Sequence, residues 1–156
     1  KMTHYASLGF NNVVVQVDRI ENSDITNSGG LERDSLAFEH LSRQFGAGIW
    51  VKCSYNTYNG IHSKGGTPLR ANFPGGAYNE DDPWYYDGTH DLFRKGRPKD
   101  RNGKSCTSYT LDTTDGGWEC PIDMPVLTDE EKAAGKSYLW DESVYQADNT
   151  KGWILT

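Results

Sequence analysis

The longest aliphatic run in the chain is Val13-Val14-Val15, cut short by Gln16. A helix that crosses a bilayer needs about 20 consecutive apolar residues, so no membrane span is expected, and no basic start followed by an apolar stretch marks a secretory signal. Cysteine is sparse as well. Cys53, Cys106 and Cys120 form no C-x-x-C pair and lie far in sequence from any compact set of histidines, which removes the zinc patterns. Their odd number points to reduced, buried thiols, although Cys106 and Cys120 flank one aromatic segment and would approach each other if it folds as a hairpin. His4, His40, His62 and His90 are scattered, and none accompanies a serine or cysteine nucleophile signature. Positive charge is lacking too: the net charge of −6 and pI near 5.1 argue against a phosphate-binding surface, so no nucleic-acid partner is expected. The one basic stretch, Phe93 to Lys104, is broken by Gly, Pro, Asp and Asn and reads as a solvated loop.

Aliphatic residues are few for a chain of 156, but five Trp, nine Tyr and five Phe make up for them. Aromatics must carry the core, and cores of that kind suit strands. The length fits one domain, 1–156, divided here into a strand-helix-strand body (1–55), an extended loop (56–76) and a set of aromatic β-hairpin repeats (77–156). The class expected is mainly β (α+β): a small antiparallel sheet and hairpins, one helix near 35–46, and long irregular loops.

The β-branched run from Val13 to Ile20 predicts a strand after a turn at Asn11-Asn12, with Val13, Val15 and Val17 on one face. Glu21 to Arg33 is rich in turn formers. From Asp34, the spacing of Ala37, Leu41 and Phe45 predicts a helix of about three turns, capped by Asp34 or Ser35 and ended by Gly46 or Gly48. Ile49 to Cys53 alternates as a strand, and Asn56 to Gly76 is crowded with Gly, Asn, Ser and Pro. Thr128 followed by Glu131 forms a capping box for a short helical turn that Gly135 stops.

Two segments repeat one pattern. "SYTLDTTDGGWECP" (108–121) and "SYLWDESVYQADNTKGWILT" (137–156) both run Ser-Tyr, an apolar residue, Asp, a polar stretch and Gly-Trp; "YDGTHDLF" (86–93) is a looser third copy. Each predicts a hairpin clasped by aromatics, with Tyr109 and Trp118, or Tyr138 and Trp153, facing each other or leaning on a neighbour. The Asp87-Gly88 pair signals a tight turn.

The acidic group Glu80, Asp81, Asp82, Asp87 and Asp91 beside Trp84, Tyr85 and Tyr86 is the place where a two-carboxylate glycosidase or a calcium loop would have to sit. Asp-Asp-Pro and Asp-Gly are also ordinary turn sequences, and the alternate-acid calcium spacing is absent. No residue is therefore assigned to catalysis, to a cofactor or to a metal. Exposed Tyr58, Trp84, Tyr85 or Tyr86 would suit stacking on a sugar, with Asn56, Asn59 and Asp87 as hydrogen-bonding partners, or burial at a subunit interface.

The ordered series "LGFNNVVVQV", "FEHLSRQFGAGIWVKCSYN", "LRANFPGGAY", "DLF", "RP", "YTLD" and "YLWDE" before a final Trp resembles a set of small proteins encoded by marine tailed phages, chiefly cyanophages. The likeness runs from Tyr5 to Trp153 in short pieces whose specificity lies in their order. Phe73-Pro74 stands where that pattern has Tyr-Ala, and the loop between Phe93 and Tyr109 is longer and lacks its usual Trp. The resemblance implies a virion or tail-associated accessory protein, made in the host cytoplasm, and carries no catalytic residues across. The expected function is a non-enzymatic virion protein that decorates the capsid or attaches to the tail, with other virion proteins as partners in many symmetric copies. A module that binds host-surface glycans is the alternative. Interface or glycan residues expected from the sequence are Tyr58, Arg70, Phe73, Trp84, Tyr85, Tyr86, Trp140 and Trp153.

Overall fold

Two antiparallel strands open the chain, β1 (Met2–Leu8) and β2 (Val14–Glu21), joined through a 3-10 turn at Phe10–Asn12 where Asn11 and Asn12 take φ of 55° and 59°. The computed structural model describes every residue from Lys1 to Thr156. The long helix follows as α1 (Asp34–Phe45), then β3 (Ile49–Cys53), which pairs with β1 to give a sheet of order β2-β1-β3. Small hairpins follow: β4 (Thr57–Tyr58) with β5 (Ile61–His62), β6 (Trp84–Asp87) with β7 (Leu92–Lys95), and β8 (Thr110–Leu111) with β9 (Trp118–Glu119). The chain ends with α2 (Asp129–Ala133), β10 (Tyr138–Trp140), α3 (Glu142–Ala147) and β11 (Trp153–Leu155), with β10 paired to β11. The fold is mainly β, built from small antiparallel sheets and hairpins with few helices. No helix is long and apolar enough to cross a membrane.

The residues cluster into two compact units, Lys1–Gly96 with Thr113–Gly117, and Arg97–Asp112 with Trp118–Thr156. The hairpin β6–β7 thus belongs with the N-terminal sheet rather than with the later hairpins.

In the first unit both faces of the central sheet are covered. Tyr5 and Ile20 pack with Ile25, Ala37, Leu41 and Trp50 on the α1 side, while Ala6, Val14 and Cys53 pack with Phe93 on the other. Successive residues Tyr5 and Ala6 on β1 feed opposite cores, as strand alternation requires. On β2 the expected alternation of Val13, Val15 and Val17 is broken. Ser7 pairs with Gln16 and Leu8 with Val14, so Val15 is the extra residue of a bulge. The bulge turns Val14 onto the face that Val17 occupies and leaves Val15 exposed.

The N-cap of helix α1 lies ahead of both expected positions, one residue before Asp34 and two before Ser35. Arg33 holds the N-cap position without a side-chain bond, and Asp34, inside the first turn, accepts a hydrogen bond from the buried Tyr5 hydroxyl at 2.7 Å. The Asp34 side chain thereby ties the helix to β1 instead of capping it. The helix ends at Gly46, whose N–H reaches Ser42 O at 2.9 Å.

The segment 56–76 is not a free excursion. Thr57 is fully buried, with its hydroxyl accepting from Leu69 N at 3.1 Å and its carbonyl accepting from Phe73 N at 2.8 Å.

The second unit gathers around Trp140, which is 4 % exposed, and the buried carboxylate of Glu142. The two repeats do not fold alike. The first is a short hairpin in which Leu111, not Tyr109, faces Trp118. In the second, Asp141 caps α3 by accepting from Val144 N, so a helix fills the expected polar loop, and Trp140 rather than Tyr138 faces Trp153. Tyr109 leans on Trp140 at 5.6 Å, while Trp118 carries the Arg97 guanidinium at 4.4 Å. The capping box at Thr128 and Glu131 is formed from both sides.

Candidate functional site: an aromatic cluster on a strained hub

Consecutive Arg70 and Ala71 take φ of 51° and 64°, left-handed values that side chains with a Cβ disfavour. A dense set of hydrogen bonds holds them there. Arg70 O accepts from Phe93 N at 3.0 Å, and Ala71 O accepts from Gly60 N at 2.9 Å. Buried Asn72 then satisfies both ends of its amide: Oδ1 accepts from Asn59 N at 2.9 Å, and Nδ2 donates to Phe93 O at 3.0 Å and Asp115 O at 2.9 Å. Three stretches of chain distant in sequence meet on this one side chain. Gly116 is needed beside it, because a Cβ there would lie 2.7 Å from Asn72 Nδ2.

Arg70 faces inward. Its Nε donates to Asp91 Oδ1 at 2.7 Å and its Nη1 to Lys52 O at 2.9 Å, so the guanidinium ties the hub to the turn of β6–β7 and to the outer edge of β3. Asp91 Oδ1 also accepts from Tyr86 OH at 2.6 Å, and these two donors hold its carboxyl below the usual range. Nε and Nη1 of Arg70 are thus both engaged within the unit.

The hub presents Phe73. Three rings surround it, with centroids at 5.4 Å (His4), 5.8 Å (Tyr55) and 6.4 Å (Tyr58), all edge-on, and His4 stacks on Tyr55 at 6.0 Å. Burial, and secondarily the charge of Arg19, lowers the His4 pKa, so this imidazole is neutral at neutral pH. Tyr55 is 63 % exposed and Tyr58 49 %; Ile61, opposite Tyr58 in the β4–β5 hairpin, is 68 % exposed. The result is an apolar knob in which Tyr58 packs on Phe73 and Ile61 stands opposite Tyr58 in the hairpin, with Tyr55 also against Phe73.

The other aromatic residues singled out from the sequence are engaged within their units. Lys95 Nζ lies 4.7 Å from the Trp84 centroid and Arg94 Cζ lies 5.6 Å from that of Tyr85; Tyr86 packs on Phe93 at 5.5 Å. Trp84 and Lys95 line a small cavity of about 210 Å³ together with Val14, Pro74 and Tyr78. Trp140 and Trp153 pack edge to face at 5.2 Å, and Trp153 Nε1 donates to Ile122 O at 2.8 Å. Buried Trp140 offers no surface for docking, because its unit has few aliphatic residues and uses this ring as its centre.

The acidic residues do not converge. Asp87 accepts from Thr89 N, His90 N and Arg94 Nε, and the two side-chain donors Arg94 and His90 bring its pKa down to about 2 against the cost of burial. Asp82 pairs with Lys95 at 3.3 Å, and no three His, Cys, Asp or Glu side chains gather as a metal site requires.

Tyr55, Ile61 and the structural role of Asn72 escaped the sequence reading. Exposure of Tyr55 and Ile61 depends on how 56–76 folds back, which no local pattern encodes. No family model, curated protein or solved structure matches this chain.

Proposed function

We propose that the chain is a non-enzymatic structural protein of a tailed-phage particle, docking through the Tyr58–Ile61 knob onto other proteins of the capsid or tail. The observation that carries this reading is a pair of large apolar side chains, 49 % and 68 % exposed, fixed on a short hairpin by a buried hydrogen-bonded hub. An unneeded exposed pair would cost solubility, and a rigid one loses little conformational entropy when it enters a partner's pocket. A second copy of this chain is a poorer occupant, because two molecules of net charge −6 repel each other. A symmetric particle repeats the same pocket many times, so each contact can be weak. The test is a density map of the particle encoded with this chain. The reading predicts density for the first unit with Tyr58 and Ile61 against a neighbouring virion protein; a particle without the chain, or one in which both side chains face solvent, overturns it.

A further inference from the structure

Beside the aromatic cluster runs a groove of about 620 Å³, within the size range of small-ligand sites, lined among others by Tyr55, Asn56, His62, Lys64 and Thr67. We propose that this groove binds a pyranoside ring of a saccharide, stacked on Tyr55 and hydrogen-bonded by Asn56 and His62.

Three features point to this chemistry. Tyr55 gives a flat apolar ring, largely exposed yet held by the stack on His4 and the edge of Phe73, so it meets the C–H face of a sugar without reordering. Around it stand neutral polar groups with spare capacity. Asn56 Oδ1 accepts only a long bond from Ser63 Oγ at 3.4 Å, and its Nδ2 makes no hydrogen bond. His62 Nδ1 accepts from Lys64 N at 3.2 Å and Gly66 N at 3.1 Å, which fixes the ring and leaves the Nε2–H as its donor. A hydroxyl-rich ligand needs that mix of ring face, amide and imidazole. The charges of the groove are mixed as well: Lys52 pairs with Glu32 at 3.8 Å, while Lys64 on the rim is a cation suited to an acidic sugar. The pyranose ring is the chemistry shared by neutral and acidic saccharides, and the two are separated by experiment.

The test is titration of the full chain, followed by amide NMR shifts, with methyl β-galactopyranoside and, separately, methyl glucuronide. Saturable millimolar shifts at residues 54–56 and 62–67 with either glycoside are expected. Tyr55→Ala should weaken binding at least tenfold, Tyr55→Phe should retain most of it, and Trp84→Ala should leave it unchanged. Tyr55 is exposed enough for the alanine variant to keep the fold, which its unperturbed spectrum elsewhere verifies. Absence of saturable shifts with both glycosides, or shifts that persist undiminished in Tyr55→Ala, overturns the proposal. Neither result bears on Tyr58 and Ile61, which lie outside the groove.

Discussion

Glu142 has no measurable exposure and no cation beside it, yet it is ionised. Five donors replace water around the carboxylate: Trp140 Nε1 at 2.8 Å, Ser108 N and Oγ at 2.7 Å each, Gln146 Nε2 at 3.0 Å and Thr107 Oγ1 at 3.1 Å. Burial alone would raise its pKa, and the donors, Trp140 first, override that and lower it from 4.5 to about 2. A depressed pKa of this kind contributes stability that is complete above pH 4.5 and is lost as pH falls towards 2. Glu142→Gln replaces one acceptor by an NH₂ group facing donors, and should cost about 2–3 kcal/mol in denaturant unfolding at pH 7. The same variant should flatten the acid-unfolding profile between pH 4.5 and 2, and an unchanged profile would remove Glu142 from this role. Arg70 is a second residue whose shape matters as much as its charge. Lys cannot reach both Asp91 and Lys52 O with one ammonium, so Arg70→Lys should destabilise the first unit by about 1–2 kcal/mol.

The β4–β5 hairpin depends on a close approach at Gly60. Its φ is 73°, and a Cβ there would lie 2.5 Å from Thr114 O. Gly60→Ala should therefore cost more than about 2 kcal/mol, the left-handed penalty plus displacement of a backbone carbonyl, measured by thermal unfolding. A loss no greater than the left-handed penalty alone would show that the 113–117 loop yields easily. Elements with a local signal were legible in the sequence. Helical spacing placed α1, the Thr128–Glu131 pattern placed α2, and β-branching placed β2. What the sequence hid was decided by distant partners. The Val15 bulge reverses a parity that looked secure, because it is set by pairing with β1. Asp141 and Asp112 occupy matching places in the two repeats, but Asp141 caps a helix, since the longer second insert supplies enough residues for a turn of α3. The candidate site was read in part: Tyr58 and Phe73 were named, whereas Tyr55 and Ile61 became visible only once Asn72 had folded 56–76 onto the sheet.

Stability across the whole molecule is divided between two units that are held by different means. The first unit rests on a sheet covered on both faces, the second on Trp140, Trp153 and a hydrogen-bonded carboxylate. Local variants should report on their own unit. Asn72→Ala leaves Asn59 N without its acceptor and two carbonyls without their donor, and should cost about 2–3 kcal/mol. Hydrogen exchange should then rise in 1–96, while Glu142→Gln should raise it in 118–156. Loss of protection spread evenly over both stretches in either variant would contradict a division into two units. The proposed function makes the same demand on specificity: the knob must matter to assembly and not to folding. The most direct measurement is the copy number of the chain in purified particles, by quantitative mass spectrometry, for the wild type and for Tyr58→Ser/Ile61→Ser. The account predicts many copies per particle for the wild type and at least a tenfold loss for the double variant, with its hydrogen exchange unchanged away from β4–β5. Equal incorporation of the two proteins, or absence of the wild type from particles, would contradict it.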